Sequence, residues 1–142
     1  MRAYYLPFFL TVGGMLLYHV SQKSIPASLN PFFVLTLAYV VGIAVCALCA
    51  LFFPGDKSFL GSLRETNWAV FAVGISVVLI EAGFLLAYRE GWKISTAAAA
   101  TNVAVTVLLI PIGVAVYKEH LSLRTIIGLV FCLLGIILVT RE

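Results

Sequence analysis

Hydrophobic residues along this chain gather into five long runs separated by short polar stretches. The runs cover about Tyr4–Val20, Pro31–Phe53, Trp68–Tyr88, Ser95–Tyr117 and Leu123–Thr140. A helix needs about 20 mostly apolar residues to cross the hydrocarbon core of a bilayer. Five such helices would use about 100 residues and leave about 40 for connections and ends. The polar stretches carry suitable boundary chemistry. Asn30-Pro31 opens the second run, since Asn can cap free amides and Pro suits the first helical turn. Pro54-Gly55-Asp56 closes that run with turn residues. The longest connection runs from about Pro54 to Asn67. Trp68 and Trp92 stand at predicted helix ends, where an indole favours the membrane interface. The other connections are short, so sequential neighbours are expected to be antiparallel.

Composition turns this pattern into a class. Of the 142 residues, 63% are hydrophobic and 11% charged. An average soluble domain has roughly 25% charged residues. A soluble domain this small would leave much of its apolar side chain in water. The expected fold is therefore all-α and integral to a membrane: five transmembrane helices in a single domain, residues 1–142. A soluble enzyme, a disordered chain and a nucleic-acid binder are disfavoured. The net charge of +3 arises from nine Lys/Arg against six Asp/Glu, nearly all in connections. No basic run suggests nucleic acid as a partner. Cys46, Cys49 and Cys132 all fall inside apolar runs. Cys46 and Cys49 form C-x-x-C, but partner ligands and a strand–helix context are missing, so small apolar fillers are expected. No metal and no cofactor is expected. The first run ends at Tyr18, His19 and Gln22 rather than at a small-x-small cleavage site, so it reads as a retained helix and not a signal peptide.

Orientation is finely balanced. With five crossings, Arg2, Lys57, Arg64, Lys118 and Arg124 fall on one side, and Lys23, Arg89, Lys93 and Arg141 on the other. Five positive residues against four hardly choose a direction under the positive-inside rule. The slight excess puts the N-terminus in the cytoplasm. Such balance also permits insertion both ways, as an inverted homodimer requires.

Polar residues at membrane depth are the candidate site. Glu81 falls near the middle of the third run, in Val77-Val78-Leu79-Ile80-Glu81-Ala82-Gly83. A charge there costs about 2.5–3.5 kcal/mol on insertion scales. It should face the bundle interior or a wet cavity. Desolvation penalises the charged form, which makes this carboxyl a candidate for proton exchange or for holding a cation. The bland alternative is a neutral Glu bonded to a neighbouring helix. On the fourth helix Ser95, Asn102 and Thr106 share one face by their spacing of seven and four. Ala97–Ala100 allows close helix approach, and Pro111 frees a backbone carbonyl. Function and a tight structural crossing, with Asn102 as interhelical glue, weigh evenly there. Tyr88 lies seven residues after Glu81 and could close one end of a cavity, or belong to an aromatic belt. His19 can titrate at physiological pH, but near the predicted end of the first helix an interfacial role is favoured. Gly13-Gly14 allows close packing. Gly128 and Gly135, seven apart on the fifth helix, make a groove for another helix. No nucleophile–base constellation is present, so enzyme activity is disfavoured.

The stretch Ala97–Val139 resembles the C-terminal part of an EamA domain of the drug/metabolite transporter superfamily. The resemblance rests on Pro111 within a helix, then Glu119, Leu121 and Ser122 in the loop, then Gly128 and Gly135 on the last helix. It is clear over about 45 residues and looser elsewhere. Lys118 departs from it, standing where a small residue is frequent before the Glu, and Glu81 is not a general family feature. Members of that superfamily typically carry ten helices as two inverted five-helix repeats, and this chain resembles one repeat. The four-helix small multidrug resistance proteins, in the same superfamily, work as dimers. The resemblance thus implies a homodimer, possibly inverted, building one transport path.

The expected function is a small-molecule transporter in the cell inner (plasma) membrane. It would be a proton-coupled exporter of amphipathic or cationic metabolites acting as a dimer. Glu81 would couple or bind, with Ser95, Asn102, Thr106, Tyr88 and His19 as polar contacts. Glu119 would fix the loop before the last helix, and Gly128 and Gly135 would form the packing face. The alternatives are a lipid-carrier flippase subunit and a non-transporting membrane scaffold or assembly protein.

Overall fold

The computed structural model describes residues 2–52, 59–120 and 122–140. It contains α1 (Arg2–Ser24), α2 (Pro31–Phe52), α3 (Phe59–Arg64), α4 (Trp68–Arg89), α5 (Ile94–Ala115) and α6 (Leu123–Thr140). No strand occurs among the described residues. The turn expected at Pro54-Gly55-Asp56 lies outside them, as do Lys57, Leu121 and Arg141.

The helix ends follow side-chain chemistry. The Asn30 side-chain oxygen accepts from the Phe32 amide at 2.9 Å and the Phe33 amide at 3.4 Å, capping α2. Asn67 does the same for α4, accepting from the Ala69 amide at 3.0 Å. Ser122 caps α6: its Oγ accepts from the Thr125 amide at 3.2 Å and shares a 2.8 Å hydrogen bond with the Thr125 hydroxyl. These contacts satisfy amides that the first helical turn leaves without partners.

Most helix bounds fall within a few residues of the expected ones, and two features differ more. The first helix runs to Ser24 rather than Val20. Its last turn, Ser21–Ser24, is polar and so falls outside an apolar window, yet nothing in it breaks a helix before Pro26. The long connection also holds a six-residue helix, α3, too short to leave a periodic signature.

Contacts divide the chain into two compact units. One comprises residues 22–90, in which α2 packs on α4. The other comprises residues 1–21 with 91–142, in which α5 packs on α6. Among the described residues, the buried apolar side chains are Leu35, Leu85, Tyr88 and Ala97. Large apolar side chains point outward on every long helix, Phe33, Leu51 and Phe52 at 76–79% exposure among them. Apolar surface on this scale needs an apolar environment. Among the described residues, three helices, α2, α4 and α5, are long and apolar enough to cross a membrane. A shorter apolar stretch covers Leu123–Leu138 of α6. Trp68, 78% exposed, and Trp92, 50% exposed, flank opposite ends of α4.

Candidate functional site

Glu81 stands in the middle of α4, half-buried. Its carboxyl meets the phenol of Tyr39 on α2, the helix packed against α4. The contact is electrostatic and loosely hydrogen-bonding. It falls short of full hydrogen-bond geometry, and the buried Tyr39 Oη has no other partner among the described residues. Buried Leu35 lies one turn before Tyr39 on α2, and buried Leu85 one turn after Glu81 on α4. The acid is thus set in an apolar helix–helix seam, with the Tyr39 phenol as a polar neighbour. A group so placed can exchange a proton or hold a cation with little competition from other hydrogen bonds.

Tyr88 occupies the Glu81 face two turns on, with Leu85 between them. It is buried and stacks on Phe84, ring centroids 6.0 Å apart at 29°. The Lys23 ammonium sits 5.4 Å from the centroid of its ring and donates to its carbonyl at 3.3 Å. Tyr88 therefore belongs to a cationic cavity at the end of α4.

In the other unit, Asn102 and Thr106 of α5 line a groove of about 120 Å³ against Leu129 and Cys132 of α6. The Thr106 hydroxyl is spent locally, donating to the Asn102 carbonyl at 2.7 Å. Ser95 is exposed near the start of α5 and does not line this groove. Pro111 is inside α5 and lacks the amide that would bond the Val107 carbonyl. Val107 lines the same groove. His19 lies inside α1, five residues from its end, and is 6% exposed beside the Tyr18 ring. The helix continues four residues past the expected end at Val20, so His19 stands one turn further from the helix terminus than expected.

Glu119 closes the end of α5. Its amide donates to the Gly113 carbonyl at 3.0 Å, and so does the Tyr117 amide, at 3.1 Å. Its carboxylate lies over Gly113, where a Cβ would come 2.5 Å from Oε2. Lys118 between them adopts a left-handed backbone, φ 54°. That conformation favours glycine over a residue with a Cβ. Gly128 and Gly135 on α6 have open space where a Cβ would be.

Among the described residues no group of three or more His, Cys, Asp or Glu could hold a metal. All three cysteines are free and exposed. Sequence reasoning missed Tyr39, Gly113 and the pairing of Lys23 with Tyr88. A tyrosine in mid-run was the available signal for the first; the other two depend on tertiary contact.

Long apolar helices with a carboxyl, a carboxamide and a proline-freed carbonyl at membrane depth define a helical integral membrane protein with polar groups along its helix seams. A model described as the EamA-like transporter family matches residues 5–141, and the chain belongs to that family. No curated protein and no solved structure matches it. The protein is thus a multi-pass membrane transporter of the drug/metabolite type.

Proposed function

We propose that this chain is a proton-coupled exporter of amphipathic or cationic metabolites in the cell inner membrane, working as a homodimer of single five-crossing domains. The observation that carries the reading is the Glu81–Tyr39 pair: a costly carboxyl in mid-span, half-buried, facing a phenol on the packed helix. A proton and a cationic substrate would compete for the same carboxyl, and that competition is the coupling. Asn102 and Thr106 would add polar contacts along α5, Ser95 and His19 would serve nearer the ends, and Glu119 would hold the α5–α6 loop. An inverted pair would reproduce a two-repeat transport path.

The test is proton release from purified, reconstituted protein on adding a panel of cationic and zwitterionic metabolites. The wild type should release protons with ligand, and Glu81→Gln should release none. Absence of release from the wild type across the panel would sink the coupling and move the flippase and scaffold readings ahead.

A further inference from the structure

We propose that the unit formed by residues 22–90 carries an anion site, independent of Glu81, that takes a phosphate group at the membrane interface. The site is a cavity of about 270 Å³ lined by Gln22, Lys23, Ala27, Leu85, Tyr88 and Arg89, among others. Lys23 is next to last in α1 and Arg89 is last in α4, so both cations stand at helix ends. Trp92 follows Arg89 by three residues in the chain, and an indole favours the membrane interface.

The wall is held in place by the protein's own contacts. Lys23 is fixed over the Tyr88 ring and against the Tyr88 carbonyl. Arg89 Nη2 donates to the Leu29 carbonyl at 2.7 Å, which ties down the chain between α1 and α2. Arg89 Nε is buried and has no acceptor among the described residues. A buried guanidinium donor without an acceptor calls for an explanation, and the cavity beside it has room for an anion's oxygens. Gln22, 6% exposed, adds an amide to the same wall. Leu85, 1% exposed, backs the cavity on the side of α4 that leads to Glu81.

Charge favours the assignment. The C-terminal ends of α1 and α4 each contribute about half a negative charge. Two full cations outweigh them and leave the cavity with about one net positive charge. A guanidinium with free donors suits phosphate oxygens well. The phosphate can come from a lipid headgroup or from a soluble ligand.

The experiment titrates purified full-length protein in neutral detergent and reads thermal unfolding. One arm uses inorganic phosphate; the other uses dihexanoyl phosphatidylglycerol against dihexanoyl phosphatidylcholine. Wild type should be stabilised in at least one arm. Arg89→Gln should weaken the apparent affinity at least tenfold. Lys93→Gln, an exposed cation that does not line the cavity, should leave it within twofold, and so should Glu81→Gln. A response to phosphate identifies a soluble ligand chemistry; a response to the glycerol lipid alone identifies a headgroup. Ala27→Phe fills the cavity without removing either cation, and gives the same readout if Arg89→Gln does not fold. No stabilisation in either arm overturns the site. Equal losses in Arg89→Gln and Lys93→Gln also overturn it, by reducing the effect to general surface charge.

Discussion

Glu81 needs a neighbour that can follow its charge, and Tyr39 is placed to be that neighbour. A phenol hydroxyl donates to a carboxylate and accepts from a carboxylic acid, so it can serve both protonation states. Tyr39→Phe keeps the ring in the α2–α4 seam and removes only the hydroxyl. Ligand-driven proton release from reconstituted protein should fall several-fold. Thermal stability should change by no more than about 1 kcal/mol, the worth of one ordinary hydrogen bond. Unchanged release would assign the Tyr39 hydroxyl to packing alone. Glu81 was legible in the sequence because a carboxyl in an apolar run stands out by its insertion cost. Tyr39 was not, since a tyrosine in an apolar run carries no such penalty and its partner lies 42 positions away on another helix. The same holds for Lys23 and Arg89. Each reads alone as a flanking charge, and only the fold sets them around one cavity.

At the scale of elements, the long helices were legible because their signals are local. An apolar run sets the length, and Asn30 and Pro31 set a start. The extra turn of α1 and the whole of α3 were not legible, because polar or very short helical segments give no periodic apolar signature. The α5–α6 loop shows how a local motif acquires its reason. Ser122 caps α6, the Glu119 carboxylate covers Gly113, and Lys118 takes a left-handed backbone so that both neighbours can reach their positions. A non-glycine residue in that conformation costs about 1–2 kcal/mol. Lys118→Gly removes the cost and returns some of it as unfolded-chain entropy. The net expected gain is about 1 kcal/mol, read as a raised midpoint for unfolding of the purified protein in detergent. A lowered midpoint would mean that the Lys118 side chain has a stabilising contact of its own.

At the scale of the whole molecule, the proposed single five-crossing repeat would be half of the two-repeat architecture its family resemblance implies, and on that proposal assembly would become part of function. The even distribution of Lys and Arg, five against four, permits dual insertion, which the proposed inverted pair requires. Reporter tags on either terminus, in native membranes, should each be found on both sides; a single orientation for every molecule would exclude an inverted pair. The surface for self-association is argued from α6. Leu129 and Cys132 of that helix line the groove against α5. Gly128 and Gly135 precede Leu129 and Ile136, and at about 100° per residue they fall to the side of the α5-facing seam. Open space surrounds both positions, so their smooth surface is covered by nothing in the described part of its own chain. Small residues seven apart let a second helix approach closely, which is where packing energy between helices in lipid comes from. Gly128→Leu combined with Gly135→Leu should therefore spare the fold of one chain, since a Cβ at either position meets nothing within 4 Å. It should break the contact between two chains. The check is cross-linking or single-molecule photobleaching in lipid vesicles, with circular dichroism to confirm retained helix. A shift from dimer to monomer at unchanged helix content is the expected result, and transport should be lost with it. A dimer that survives both leucines would move the interface to another helix.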